Sequence, residues 1–162
     1  MNIRPLQQND GLAWRKLRLR MLREHPEAFG EHAEQFAERS DAEIAQRLVD
    51  GNLVGAFVNS ELAGTAGWFL QKGAKRQHIG VIWGMYVAPE FRSRGIGGAL
   101  LDQLLANIRD AGCDVAQLGV AEPNVVAREL YESAGFKIWG REEDALRVNG
   151  KPVAIIHMWR ML

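Results

Sequence analysis

The sequence predicts a mixed α/β fold of the α+β kind, with elements in the order β-α-α-β-β-β-α-β-α-β-β, and three observations carry that prediction. Between Val115 and Arg141 apolar alternation gives way to helical spacing and returns, the mark of strands separated by a helix. Leu100, Leu104 and Ile108 recur at i, i+4 and i+8, with Gly97, Leu101 and Leu105 beside them, so the stretch from Gly95 to Gly112 reads as the longest helix. Asn149-Gly150 is the strongest two-residue hairpin signal in the chain, because both residues accept positive φ.

Asn2 to Leu6 reads as a short strand, and Asp10 as an N-cap for a helix that carries Trp14, Leu17 and Met21 to about Arg23. Residues His25 to Ser40 are polar and broken by Pro26 and Gly30. Ser40 with Glu43 forms a capping box that opens a second helix ending near Asp50-Gly51. Leu53 to Val58 and Glu61 to Leu70 form a hairpin around Asn59-Ser60. A loop with Gly73, Lys75 and Arg76 leads into His78 to Val87, apolar enough for a buried strand, with Gly80 and Gly84 marking a bulge or a close approach. After the long helix come a strand at Val115 to Val120, a short helix from Asn124 to Ser133 closed by Gly135, and a strand from Phe136 to Arg141. The Asn149-Gly150 turn then pairs Ala145 to Val148 with Val153 to Trp159.

The 162 residues suit one domain, 1–162, and 47% hydrophobic with 25% charged residues is a globular composition. No apolar run nears the roughly 20 residues that cross a bilayer, and the N-terminus lacks a signal-peptide layout, so a soluble, cytoplasmic protein is expected. Lys plus Arg and Asp plus Glu both number 20, which leaves no net basic field for nucleic acid or an anionic membrane. Cys113 has no partner for a disulfide or a redox pair. Histidines 25, 32 and 157 show no ligand spacing, so no metal is assigned. The oligomeric state is left open, a homodimer included.

The chemistry is concentrated in Val87-Ala88-Pro89-Glu90-Phe91-Arg92-Ser93-Arg94-Gly95-Ile96-Gly97-Gly98-Ala99-Leu100-Leu101, where a buried strand turns into a glycine-rich helix. A helix N-terminus offers unpaired amides and partial positive charge, glycines admit an anion close to the backbone, and Arg92 and Arg94 add forked donors. The physical reading is a pyrophosphate site; a turn that only packs the helix tightly is the plainer one. The dinucleotide glycine pattern and the Lys-Ser/Thr ending of a P-loop are both absent, which argues against NAD and ATP.

Arg92-x-x-Gly95-x-Gly97 resembles the Q/R-x-x-G-x-G/A signature of the GNAT superfamily of acetyl-CoA-dependent N-acetyltransferases. Leu118-Gly119-Val120-Ala121-Glu122-Pro123-Asn124, followed by Ala127-Arg128-Glu129-Leu130-Tyr131 and Gly135-Phe136, is similar to the family's second motif. The resemblance covers nearly the whole chain. It implies a mostly antiparallel mixed sheet with helices on both faces and acetyl-coenzyme A between splayed central strands. It implies that the backbone of Arg92, Ser93, Arg94, Gly95, Ile96, Gly97, Gly98 and Ala99 holds the pyrophosphate. The edge of Met85, Tyr86 and Val87 would pair with the pantetheine arm, and the Met85 amide would stabilise charge on the thioester oxygen. Tyr131 would be the general acid. Asn124 would contact the pantetheine or simply cap its helix, and capping is preferred.

Some family members carry a glutamate base at the position of Val81, and neither Val81 nor Trp83 can take a proton. Glu122 and His78 are the nearest ionisable candidates, with water as the alternative. Glu27, Glu31, Glu34 and Glu38 would share one face if their segment were helical, so Glu31 and Glu34 could draw a cationic amine, although a solvated face is the plainer reading. Trp83 is expected to line the acceptor pocket. The expected function is acetyl transfer to a primary amine of a small molecule or peptide. Transfer of a longer acyl group, or acyl-CoA sensing without turnover, are the alternatives.

Overall fold

The computed structural model describes residues Met1–Leu162. Seven strands form one sheet in the order β1-β2-β3-β4-β5-β7-β6: β1 Asn2–Pro5, β2 Leu53–Val58, β3 Glu61–Leu70, β4 Ile79–Val87, β5 Val115–Ala121, β6 Lys137–Val148 and β7 Lys151–Met161. Every neighbouring pair is antiparallel except β4 with β5. The mixed, mostly antiparallel sheet expected from the sequence is therefore present. Helices α1 Gly11–Glu24, α2 Ala33–Ala37 and α3 Asp41–Asp50 cover one face, and α4 Ile96–Asp110 and α5 Val125–Ser133 cover the other.

Two apolar layers result. Leu100, Leu101, Leu104 and Ile108 of α4 pack with Ile82, Leu118, Val120 and Met158 on one side of the sheet. Trp14, Leu17 and Met21 pack with Phe36, Ile44, Leu48 and Leu53 on the other. Each such side chain contributes about 1.5–3 kcal/mol on burial, so the two layers are the main hold of the helices on the sheet. No helix is long and apolar enough to cross a membrane.

Local signals were obeyed where they were strong. The Ser40/Glu43 capping box forms, with the Ser40 hydroxyl accepting from the Glu43 amide at 3.2 Å and the Ser40 amide donating to the Glu43 carboxylate at 2.7 Å. Asn59 and Ser60 turn at φ 48° and 67°, and Asn149 and Gly150 at 51° and 76°, as two-residue hairpins demand. Two expectations are corrected. The stretches 137–141 and 145–148 belong to one long strand, β6, whose register against β7 breaks between Glu142 and Leu146. The segment 25–40 is not one helix: Glu27 sits in a 3₁₀ turn, Glu31 in a loop, Glu34 in the five-residue α2 and Glu38 at its C-cap, so the four glutamates form no stripe.

Candidate active site

The site begins with a gap in the sheet. Strands β4 and β5 pair only through Ile79 with Val115, Gly80 with Ala116 and Val81 with Gln117, yet β4 runs on to Val87 and β5 to Ala121. Beyond Val81 the two strands diverge. The cause lies in β4, where Trp83 to Tyr86 spans three steps against two from Gly67 to Thr65 on β3. That extra residue is a bulge, and it centres on Gly84, at φ 63°, a conformation open to glycine and strained for other residues. One edge of β4 from Ile82 onward is thus left without a strand partner.

The gap leads to the N-terminus of α4. Ser93 at φ 60° and Gly95 at φ 74° turn the chain into α4. The amides of Ser93, Arg94, Gly95, Ile96, Gly97 and Gly98 have no backbone acceptor, whereas Arg92 N donates to Pro89 O and Ala99 N to Gly95 O. Six of the eight amides proposed from the motif are accordingly free for an anion. A Cβ on Gly95 or Gly98 would meet nothing within 4 Å, and one on Gly97 would touch Leu130 at 3.3 Å, so the surface over these residues is open. The Arg92 guanidinium is partly used inside the protein: its Nε donates to Val87 O at 3.0 Å. Arg94 lies over the Phe91 ring.

Tyr131 spans the gap. Helix α5 buries it against Phe136, and its hydroxyl donates to the Met85 sulfur at 3.5 Å. Burial pushes the phenol up to about 12, so it keeps its proton throughout the neutral range. Met85 and Tyr131, forty-six residues apart, are thus brought together. Tyr86 and Val87 continue the β4 edge, but the Tyr86 side chain turns to the opposite face, where its hydroxyl donates to Glu24 at 2.8 Å. Asn124 caps α5, its side-chain oxygen accepting from the Ala127 amide at 3.2 Å.

Ionisable groups around the gap divide into those already engaged and those not. Glu122 is held by Arg141 through bonds of 2.7 and 2.9 Å, which keeps its carboxyl below the ordinary range. His78 is exposed at the start of β4, at the paired end of the strand rather than the open one. His157 lies beside Gly119 with its Nε2 3.0 Å from Glu142, a pair the sequence reading missed. Alternation in β7 was the available signal, since Ala154, Ile156 and Met158 are buried and His157 must face the other way.

Trp83, on the α1 side of β4, has two guanidinium groups close to its ring, Arg18 at 5.3 Å and Arg47 at 5.1 Å. Glu31 is not a free carboxylate. It accepts from Arg18 at 2.9 Å, Arg39 at 3.0 Å and Arg47 at 3.3 Å. Burial opposes its charge, but the arginines outweigh that and hold the carboxyl below its usual range. Glu34 is exposed and faces His32 at 3.2 Å. One surface hollow, of about 610 Å³, lies between Pro5–Asn9 and Leu48–Leu53; it is lined by no charged side chain and lies away from the gap. A second, of about 490 Å³, includes Arg47 and Trp83. No cluster of His, Cys, Asp or Glu suits a metal ion.

The sequence pattern described as the Acetyltransferase (GNAT) family matches residues 14–136. A mycothiol acetyltransferase of Thermobispora bispora is 33% identical over 141 residues, which is 80% of this chain and 44% of that protein. An aminoglycoside N(6')-acetyltransferase type 1 of Stenotrophomonas maltophilia is 28% identical over 128 residues, 79% of this chain and 80% of that one. The chain spans less than half the length of the mycothiol acetyltransferases it matches, 28% of one and 44% of the other. Among solved structures, an acetyltransferase of the GNAT family from Streptococcus pneumoniae superposes with a TM-score of 0.89 at 20% identity, over 99% of this chain and 98% of that one. A phosphinothricin acetyltransferase from Sinorhizobium meliloti, solved with acetyl-CoA, gives 0.86 at 19%, over 99% and 88%.

Proposed function

Because the chain belongs to the GNAT family of acetyltransferases, we propose that it moves an acetyl group from acetyl-coenzyme A to the primary amine of a small molecule or peptide, and that residues 1–162 work as one catalytic domain. The observation that carries this reading is the gap between β4 and β5, which ends at six free amides and is bridged by a protonated tyrosine.

The residues present fit coenzyme A. The amides from Ser93 to Gly98 offer a row of donors for the pyrophosphate, reinforced by the helix dipole of α4. Met85, Tyr86 and Val87 offer an unpaired strand edge to the amide-bearing pantetheine arm, in the manner of an added strand. Bound there, the coenzyme supplies an acyl group activated as a thioester. The Met85 amide is a donor for the negative charge that gathers on the acyl oxygen during attack. Tyr131 is the proton donor to the departing sulfur: its hydroxyl already reaches a sulfur atom at the gap, and burial keeps it protonated. With no proton acceptor at Val81 or Trp83, the amine gives up its proton to solvent rather than to β4.

Calorimetric titration with acetyl-coenzyme A, followed by a thiol-release assay over a panel of amines and acyl donors, tests this. Binding with release of one thiol per acetylated amine supports it. Binding without thiol release from any amine would replace catalysis with sensing, and a faster rate with propionyl or succinyl donors would change the acyl group.

A further inference from the structure

We infer that the acceptor amine carries a carboxylate, and that Arg18 and Arg47 receive it over the face of Trp83. The inference rests on the acetyl-transfer reading of the adjoining gap and names the class of substrate that the gap would serve.

Arg18 is the unusual residue. It lies on the apolar stripe of α1 between Trp14 and Leu22, and its side chain is only 5% exposed. One guanidinium nitrogen, Nη2, is matched by Glu31. Its Nε has no acceptor, and its Nη1 has only the Met21 sulfur at 3.7 Å, a weak one. Burying a guanidinium with most of its donors unused is costly unless something completes the set. Nη1 lies 3.1 Å from where a Cβ of Gly84 would stand, so those unused donors face the bulge one residue before Met85. The glycine at 84 therefore also leaves the guanidinium room at the strand.

The surrounding charge agrees. Three arginines and one glutamate meet at Glu31, an excess of two positive charges. The nearby acids redress it only in part: Asp41 pairs with Arg15, whereas Asp50, bonded to the neutral Gln46, keeps its charge on the wall of the hollow shared by Arg47 and Trp83 and leaves a smaller positive excess. Arg39 also has an Nε without an acceptor. Arg47 is less buried, 29% exposed, and shares the Trp83 ring with Arg18, so both forks lie close to one aromatic plate. A carboxylate suits this arrangement, since it accepts forked donors in one plane while the carbon beside it rests on the indole. A cationic group would meet repulsion here. Glu31 holds the arginines apart and in place and does not itself receive the amine.

The test uses matched pairs differing only in the carboxylate, phenylalanine with phenethylamine and leucine with isopentylamine, with thiol release as the readout. The carboxylate member should have the higher kcat/KM by about tenfold or more, mostly through KM, because a site built to hydrogen-bond a group rejects the analogue lacking it. Arg47→Gln should shrink that preference by about fivefold or more and Arg47→Lys should keep part of it, which a purely structural role would not produce. Equal or better use of the carboxylate-free amines would overturn the inference while leaving acetyl transfer intact. If acetyl-coenzyme A binds but no amine turns over, the transfer reading fails on its own. The same pairs are then titrated into the coenzyme-bound protein by calorimetry. Selective binding of the amino acids at millimolar concentration supports the carboxylate site, and absence of it overturns the site.

Discussion

Tyr131 and Gly97 bear the two roles that single side chains can test. Removing the Tyr131 hydroxyl as phenylalanine keeps the ring against Phe136 and should leave acetyl-coenzyme A affinity unchanged while kcat falls by about 10²-fold, near the lower end for a general acid because a thiolate leaves readily. The pH profile sharpens this. With its pKa raised to about 12, Tyr131 stays protonated, so parent kcat should show no loss on its account up to about pH 10. The stabilising share of that shift is complete below the ordinary phenol value and is lost as pH rises through the folded one. A variant equal to the parent in kcat would remove Tyr131 from the chemistry. At Gly97, valine would bring its Cβ to 3.3 Å from Leu130 and add bulk at the turn that bears the free amides. Coenzyme affinity, measured by calorimetry, should drop about tenfold, or about 1.4 kcal/mol. A folded Gly97→Val protein of parent affinity would rule out a pyrophosphate at that turn.

Helix α5 shows how an element serves the site through its ends. Asn124 caps it and Gly135, at φ 84°, ends it, and between them Tyr131 is fixed at the gap. Asn124→Ala should therefore cost about 1 kcal/mol in urea denaturation and leave coenzyme affinity unchanged; a loss of affinity without a loss of stability would instead make Asn124 a ligand contact. Signals of this local kind were legible in the sequence. The capping box at Ser40, the turns at Asn59 and Asn149 and the glycine-rich start of α4 each depend on a few adjacent residues, so local preference and final structure agree. The shared face of the glutamates in segment 25–40 required a helix, which Pro26 and Gly30 interrupt, and three arginines distant in sequence claim Glu31. Arg18 did leave a trace, as an arginine in the middle of an apolar stripe. What no spacing could reveal was its unmatched donors, which depend on how α1 meets β4.

At the scale of the whole molecule, Glu31 ties together parts that the sheet does not, since Arg18 comes from α1, Arg39 from the turn after α2 and Arg47 from α3. Its depressed pKa means that its contribution to stability is present above the unfolded carboxyl value and lost as pH falls through the folded one. Glu31→Gln should accordingly lower the urea midpoint most at neutral pH, and the gap between variant and parent should narrow as pH falls below the ordinary carboxyl value. A difference that persists unchanged in acid would assign the effect to packing. The bulge at Gly84 has a consequence of its own at this scale. With only three residue pairs joining β4 to β5, the sheet is two panels, β1 to β4 and β5 to β6, that share a short seam. A pantetheine arm seated along β4 would act as a strut between the panels, adding to the α4 packing that already spans them. Hydrogen exchange should then slow on saturation with coenzyme A across both sides of the joint, from Ile82 to Val87 and from Leu118 to Ala121, and not at the outer strand β1. The protein would thus be tuned so that its own cosubstrate completes its rigidity, and the loosened joint after release would be what lets the spent coenzyme leave.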